Sequence, residues 1–404
     1  MTSTAKGRSP QTILLLAALA QNVSIGFTFG TYGVLLLGVE ETFGASRSAL
    51  GAGLALTTLV MGLLSPAVGG AMERFSIRSI MMLGAFCLAA GLVGASQASH
   101  VGIFLASFGG LAAVGVTLMG PLPCAALVTH WFDEGRGKAM GLVMAPLGVM
   151  LMPPLAGFLA ERWGWQQTCL GLGLATLPLI PAFLLLQDQP AKRMPAPGAV
   201  STDPAPEAPG MGPRELLRRK PYWAVALAGG LLLGGSNTII THMVPMVSGW
   251  GIPLSHASMI VAVQGAAGMV GALLFGAIAD RLGPARALTL NATLQVGAWS
   301  LLLLEPGFAA MLVVAFGVGM GAGSVFAVIG LLVAKLFGEA SFGRAMGLFQ
   351  LLVVPFNFGA PLLAGSLYDW SGTYKLSLAI HMLSYAVAAG IFLLTARHTN
   401  SPSH

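Results

Sequence analysis

The placing of charge between long apolar stretches is the feature that most limits what this chain can become. Twelve apolar runs can be read, at 12–38, 49–71, 79–97, 101–129, 138–159, 166–187, 221–247, 257–279, 285–304, 307–334, 345–367 and 374–395. Each reaches or approaches the ~20 residues that a helix needs to cross a bilayer. With a cytoplasmic N-terminus, alternate gaps face the cytoplasm. Those gaps and the two tails hold Lys6, Arg8, Arg74, Arg78, Arg136, Lys138, Lys192, Arg193, Arg214, Arg218, Arg219, Lys220, Arg281, Arg286, Lys335, Arg344 and Arg397. The outer gaps hold only Arg47, Arg162 and Lys375. A bias of 17 to 3 sets the orientation by the positive-inside rule. The expectation is a multi-pass protein of the plasma membrane (the inner membrane of a Gram-negative cell) with both termini cytoplasmic.

Composition excludes an ordinary soluble domain: 55% of residues are hydrophobic and 8% charged, and mean hydropathy is +0.81. The net charge of +6 belongs to the short loops, so it reads as a topology signal and predicts no nucleic-acid partner. Cys87, Cys124 and Cys169 all fall inside apolar runs without metal or redox spacing, and they read as packing residues. Lys6 and Arg8 precede a run too long for a signal-peptide core of ~7–15 residues, so that run is expected to remain as the first span. Glycines at small-xxx-small spacing, as in Gly26 and Gly30, suit close helix packing in lipid.

Residues 188–220 interrupt the apolar pattern with a Pro- and Ala-rich, basic stretch. This reads as a flexible cytoplasmic linker ending in a short basic helix, between a six-helix bundle at 1–187 and another at 221–404. The halves repeat at a near-constant offset. Ala139-Met140-Gly141 matches Ala345-Met346-Gly347, Leu155-Ala156-Gly157 matches Leu363-Ala364-Gly365, and Trp163 matches Trp370. Six crossings restore the starting side, so the repeats are parallel, and a solute site is expected between them near the bilayer midplane.

Between spans eight and nine, Gly276, Asp280, Arg281, Gly283 and Arg286 are spaced as in the loop signature of the major facilitator superfamily, which the chain resembles. A degraded copy, Gly69, Glu73, Arg74 and Arg78, lies between spans two and three. The resemblance implies that these residues latch one access state. Further stretches resemble the monocarboxylate-porter branch: His130-Trp131-Phe132, Gly164-Trp165, His242-Met243-Val244-Pro245, and Gly365 to Asp369 with Gly372-Thr373-Tyr374. The implied fold is all-α, with twelve transmembrane helices in two parallel six-helix repeats. The implied activity is transport of a small organic solute, such as an organic or aromatic monocarboxylate, by alternating access with proton symport. At the position where that branch often carries a substrate-anchoring arginine, this chain has Ala272.

No Asp, Glu, Lys or Arg lies in the middle of any span, where one would cost roughly 2.5–3.5 kcal/mol. Neutral polar residues therefore carry the substrate-binding expectation: Asn22, Thr28 and Tyr32 in span one, Asn237, Thr241 and His242 in span seven, Gln264 in span eight, and Gln350 and Asn357 in span eleven. Gln21, Thr28 and Tyr32 share a face at i, i+7 and i+11. His242 is expected to couple protons, since its side chain titrates near neutrality. The competing structural reading has it hold a backbone group freed by a proline. Glu40 and Glu41 read as solvated loop charges. The expected partners are a small-molecule substrate, the lipid bilayer and protons, with the chain a monomer, no cofactor, no metal site and no enzyme activity. Two other functions stay open: an exporter of neutral or cationic amphiphiles, and a membrane receptor without turnover.

Overall fold

The computed structural model describes residues 9–132, 136–188, 211–338 and 341–399. Twelve helical crossings run through it. They are α1 (Pro10–Phe43), α2 (Arg47–Arg74), α3 (Ile77–Ser96), α4 (101–131), α5 (136–163), α6 (165–183), α7 (Lys220–Gly249), α8 (Leu254–Leu282), α9 (Pro284–Leu302), α10 (Phe308–Phe337), α11 (Phe342–Ser371) and α12 (Lys375–Thr399). Ten helical stretches are long and apolar enough to cross a membrane. One of them, Ala139–Phe183, holds two crossings, because Gly164 at φ 83° turns the chain between α5 and α6. The twelfth crossing is α9, whose two amide residues, Asn291 and Gln295, are buried. Asn291 donates to the Gly321 carbonyl (3.0 Å), Gln295 donates to that of Val318 (3.2 Å), and both tie α9 to α10.

Helix ends follow from local chemistry. Ser46 and Ser76 cap α2 and α3 by accepting from Ala49 N–H and Ser79 N–H, each at 3.2 Å. Gly44 closes α1 in the left-handed region at φ 59°. The second half marks its equivalent of Ser76 differently, with Gly283 at φ 89° joining α8 to α9. At mid-depth α1 contains a π-helical turn, Gly26–Gly30.

Buried apolar side chains form two clusters. One is built wholly from residues between Ile13 and Leu186; the other runs from Leu216 to Ala396 and adds only Val34 and Ala156 from the first half. Within each half, glycines let backbones touch. A Cβ at Gly148 would lie 2.1 Å from the Asn22 carbonyl, and one at Gly271 would lie 1.9 Å from that of Met320. The expected short basic helix is present as Pro213–Arg218. Lys6, Arg8 and the linker stretch 189–210 lie outside the described residues, as does the Glu73 side chain.

Candidate functional site

Arg74, Arg78 and Arg281 mark one face of the molecule, the basic face; the opposite one is the distal face. The halves meet through α2 with α11, α5 with α8, and α1 with α7. These seams start at the distal ends: Gly365 sits against Ser48, Gly157 against Ser258, and Gly33 against the Ile240 carbonyl. The deepest of these glycine contacts on α2 is Gly62 against Val354, about 22 Å along the helix from Arg47 at 1.5 Å per residue. No substantial packing joins α4 or the basic half of α5 to α10 or α11 among the described residues.

Two carboxylates fasten the distal side, each reaching from one half to a helix N-terminus of the other. Asp369, at the end of α11, accepts from the N–H groups of Arg47 and Ser48 at the start of α2, both at 2.9 Å. Glu161, at the end of α5, accepts from the Ser255 N–H at the start of α8, at 2.7 Å. Helix N-termini leave unpaired N–H groups and a positive dipole end, so each contact is charge-assisted. Ser48 and Ser255 are 207 residues apart and Glu161 and Asp369 208, which is the repeat offset read from the sequence. The clasps are one device, used twice.

Beside the first clasp lies a relay of polar groups. Arg47 Nε bonds both Glu40 oxygens at 3.1 and 3.2 Å, and Nη1 donates to the Pro245 carbonyl (3.4 Å) and the Tyr374 hydroxyl (3.3 Å). Glu40 is therefore a paired charge and not the solvated one expected. His242 is buried with both ring nitrogens engaged. Nε2 lies 3.0 Å from the Pro361 carbonyl, which only accepts, so Nε2 carries the hydrogen. Nδ1, 3.1 Å from the Tyr374 hydroxyl, then accepts from it. Burial raises the Tyr374 pKa, which keeps that hydroxyl protonated. This matches the structural expectation for His242 in part: it holds a backbone carbonyl on a proline-bearing helix, though the proline is Pro361 and not Pro245, and it does so inside the distal closure.

The remaining candidate residues separate into two groups. Several are engaged in packing. Asn22 donates to the Ala18 carbonyl (2.9 Å) and accepts from the Gly148 N–H (2.7 Å), tying α1 to α5. Thr28 and Thr241 are fully buried and return their hydroxyls to the Ser24 and Asn237 carbonyls, at 2.7 and 2.8 Å. Tyr32 donates to the Leu50 carbonyl and packs its ring on Phe104 and Phe108, inside the first half. The others are not so engaged. The amide oxygens of Gln264 and Asn357 are buried without a partner, and Gln21 shares that state. Asn237 is half-buried with its side chain unbonded among the described residues, while Gln350 is exposed on the basic half of α11. Asn237, Gln264 and Asn357 stand near mid-depth on α7, α8 and α11.

The loop-motif residues lie on the basic face. Arg74, Arg78, Asp280, Arg281 and Arg286 are exposed, and a Cβ at Gly69 or Gly276 would meet nothing within 4 Å. Asp280 forms no ion pair among the described residues. In the first half, the N–H groups of Ile77 and Arg78 are held by Asp188, at 3.0 and 3.2 Å. The residues missed by sequence reasoning are Arg47, Glu161 and Asp369, which look like ordinary loop charges until the halves are brought together. No group of three or more metal-ligating side chains occurs among the described residues.

Comparison with known proteins agrees with this architecture. The family model for the Major Facilitator Superfamily matches residues 18–354 and 238–404. The chain is 27% identical over 401 residues to monocarboxylate transporter 11 of Mus musculus, covering 94% of this chain and 86% of that one. It is 25% identical over 389 residues to monocarboxylate transporter 13 of Bos taurus, covering 95% and 86%. Among solved structures, a bacterial homolog of the human lysosomal transporter Spinster, in an inward-facing and unoccupied conformation, superposes with a TM-score of 0.76. That match has 15% identity and covers 98% of this chain and all of the other; at such identity it speaks for the fold alone.

Proposed function

The chain belongs to the major facilitator superfamily, and from that premise we propose that it is a secondary transporter working by alternating access. It is a multi-pass membrane protein whose relatives are transporters. In the proposed cycle, the six-helix bundles at 1–187 and 221–404, joined by the linker 188–220, rock about a midplane site. The basic face is cytoplasmic, and the present conformation opens toward it. The charge-assisted clasps of Asp369 and Glu161 hold the distal side shut.

The substrate class we propose is a small organic or aromatic monocarboxylate, in keeping with relatives named as monocarboxylate transporters. One observation carries this reading. Near mid-depth, below the closed distal seams, the amide oxygens of Gln264 and Asn357 are buried without a partner, and the half-buried Asn237 side chain forms no hydrogen bond among the described residues. Buried amides are ordinarily hydrogen-bonded, and such a set is suited to a polar solute end. Since no charged side chain stands beside them, a carboxyl group is held by neutral donors, and its protonated form enters most easily.

Coupling to protons would then run through the distal closure. In this conformation the Nδ1 of His242 is an acceptor. A proton there reverses the Tyr374 bond and sets a second cation close to the Arg47 guanidinium. The charged and titratable groups facing His242 are Arg47, Asp369, His381 and Tyr374, with Glu40 behind Arg47. Protonation from the distal side therefore favours opening, and loss of the proton favours closure.

The test is uptake into proteoliposomes of a panel of monocarboxylates, with neutral and cationic amphiphiles alongside, at acidic and neutral internal and external pH. Monocarboxylate flux accelerated by an inward proton gradient is expected, and in His242→Ala that acceleration is lost while exchange without a gradient persists. An unchanged pH profile in His242→Ala removes the coupling assignment. Flux of amphiphiles alone makes the chain an exporter of that class, and binding without flux makes it a receptor.

A further inference from the structure

Arg47 is supplied by one half of the molecule and housed by the other. Its guanidinium lies 3.9 Å from the centroid of the Tyr368 ring and 5.5 Å from that of Tyr374. Its Nη1 hydrogens go to the Pro245 carbonyl and the Tyr374 hydroxyl. All these groups belong to α7, α11 and the α11–α12 turn of the second half. The residue is only 9% exposed. What the second half presents is a cage for a flat cation: two aromatic faces, a carbonyl and a hydroxyl.

We propose that this cage is a binding site for amidinium and guanidinium compounds reaching the protein from the distal face, and that Arg47 is its tethered occupant while the distal side is closed. The geometry selects the ligand class. A guanidinium carbon 3.9 Å over the ring centroid, with the hydrogens of one nitrogen shared between two acceptors, suits a planar delocalised cation better than a tetrahedral ammonium. The charge balance agrees. Glu40 is paired with the Arg47 guanidinium, so its carboxylate loses that partner when Arg47 is removed, while the ammonium of Lys375 is already paired with Glu305 at 3.0 Å. There is also room for a substituent: a cavity of about 220 Å³ adjoins the cage, walled in part by Trp250, Tyr368 and Lys375. An aryl amidine can place its cationic end in the cage and its ring in that space. In the transporting protein such a compound competes with Arg47 and holds the distal side open.

The inference rests on the proposed cycle only for how Arg47 leaves the cage, so the experiment removes the side chain instead. In Arg47→Ala, thermal stability is measured against benzamidine, with benzylamine as the tetrahedral cation of similar size. Saturable stabilisation by benzamidine is expected, with about tenfold weaker binding both by benzylamine and in the double variant carrying Tyr368→Leu, the worth of one desolvated cation–π contact. Wild-type protein, its cage filled, should respond at least about tenfold more weakly. Equal stabilisation of wild type and Arg47→Ala, or none in a folded Arg47→Ala, overturns the proposal. If Arg47→Ala does not fold, Arg47→Lys replaces it: lysine neither stacks flat nor bridges both acceptors, so benzamidine must still displace it, and no response overturns the site. Benzamidine binding in a protein that moves no solute sinks the transport reading and leaves the cage standing.

Discussion

Replacing Asp369 by asparagine tests whether the distal clasps set the balance between the two access states. The wild-type carboxylate accepts from two N–H groups, of Arg47 and Ser48, each at 2.9 Å. Asparagine keeps one acceptor oxygen, turns an NH2 toward the other donor, and loses the charge that faces the α2 N-terminus. A hydrogen bond to a charged group contributes about 1.5–3 kcal/mol, and a charge at a helix end about 0.3–1 kcal/mol. Asp369 is exposed to solvent, which places the loss at the low end, about 1.5–2 kcal/mol. Since the contact exists only when the distal side is closed, the whole loss appears in the conformational equilibrium, a shift of about ten- to thirtyfold toward distal-open. Spin labels at Glu41 and Trp370, in protein whose three cysteines are replaced, report it as a longer distal distance by pulsed electron resonance. Glu161→Gln, which weakens the 2.7 Å bond to Ser255, should do the same. The two clasps share no partner, so their effects should add. Unchanged distance distributions in both single variants and in the double variant would refute the argument that these carboxylates hold the closure.

Other outcomes rest on the geometry of single positions. Gly148→Ala puts a Cβ 2.1 Å from the Asn22 carbonyl, a backbone atom that cannot swing away, so α1 and α5 separate and the folded yield in detergent falls sharply. Asn237→Ala and Asn357→Ala break no side-chain hydrogen bond in this structure; melting temperature should hardly change while KM for transport rises. Tyr32→Phe removes the bond to the Leu50 carbonyl and should cost about 1–3 kcal/mol of stability, visible on thermal melting. Its KM should stay at the wild-type value, because the hydroxyl faces the interior of the first half and not the pathway.

The crossings were legible because hydropathy and loop charge report on each segment separately. The facing of side chains within α1 was not. The stripe of Gln21, Thr28 and Tyr32 assumes an unbroken 3.6-residue period, but Gly26–Gly30 forms a π-helical turn. A π-turn inserts an extra residue and rotates the remainder of the helix by about 100°. Thr28 and Tyr32 are thereby carried away from the face they would share with Gln21. The polar positions of α7, α8 and α11 were legible as candidates, but which amides pack was not: Asn22, also an amide in an apolar run, ties α1 to α5. Arg47, Glu161 and Asp369 were not legible, although their repeat spacing is present in the chain. Each is a loop charge by itself, and its meaning arises only where a helix end of the other half arrives.

Two grades of glycine contact divide the molecule by stiffness. Inside each half, added methyl groups at Gly148, Gly271 and Gly319 would come within 1.9 to 2.1 Å of backbone carbonyl oxygens, so these crossings have no freedom to slide. Between the halves the contacts are tightest beside the clasps, at Gly157 and Gly365 (2.5 Å), while Gly33, Gly62 and Gly265 leave 3.1 to 3.3 Å, a gap that a small adjustment of the neighbour can accommodate. The protein is thus two hard blocks on a yielding bearing. A lineage that needs faster or slower exchange can adjust the bearing one methyl group at a time, whereas a methyl group at the tight crossings inside the blocks would force whole helices apart.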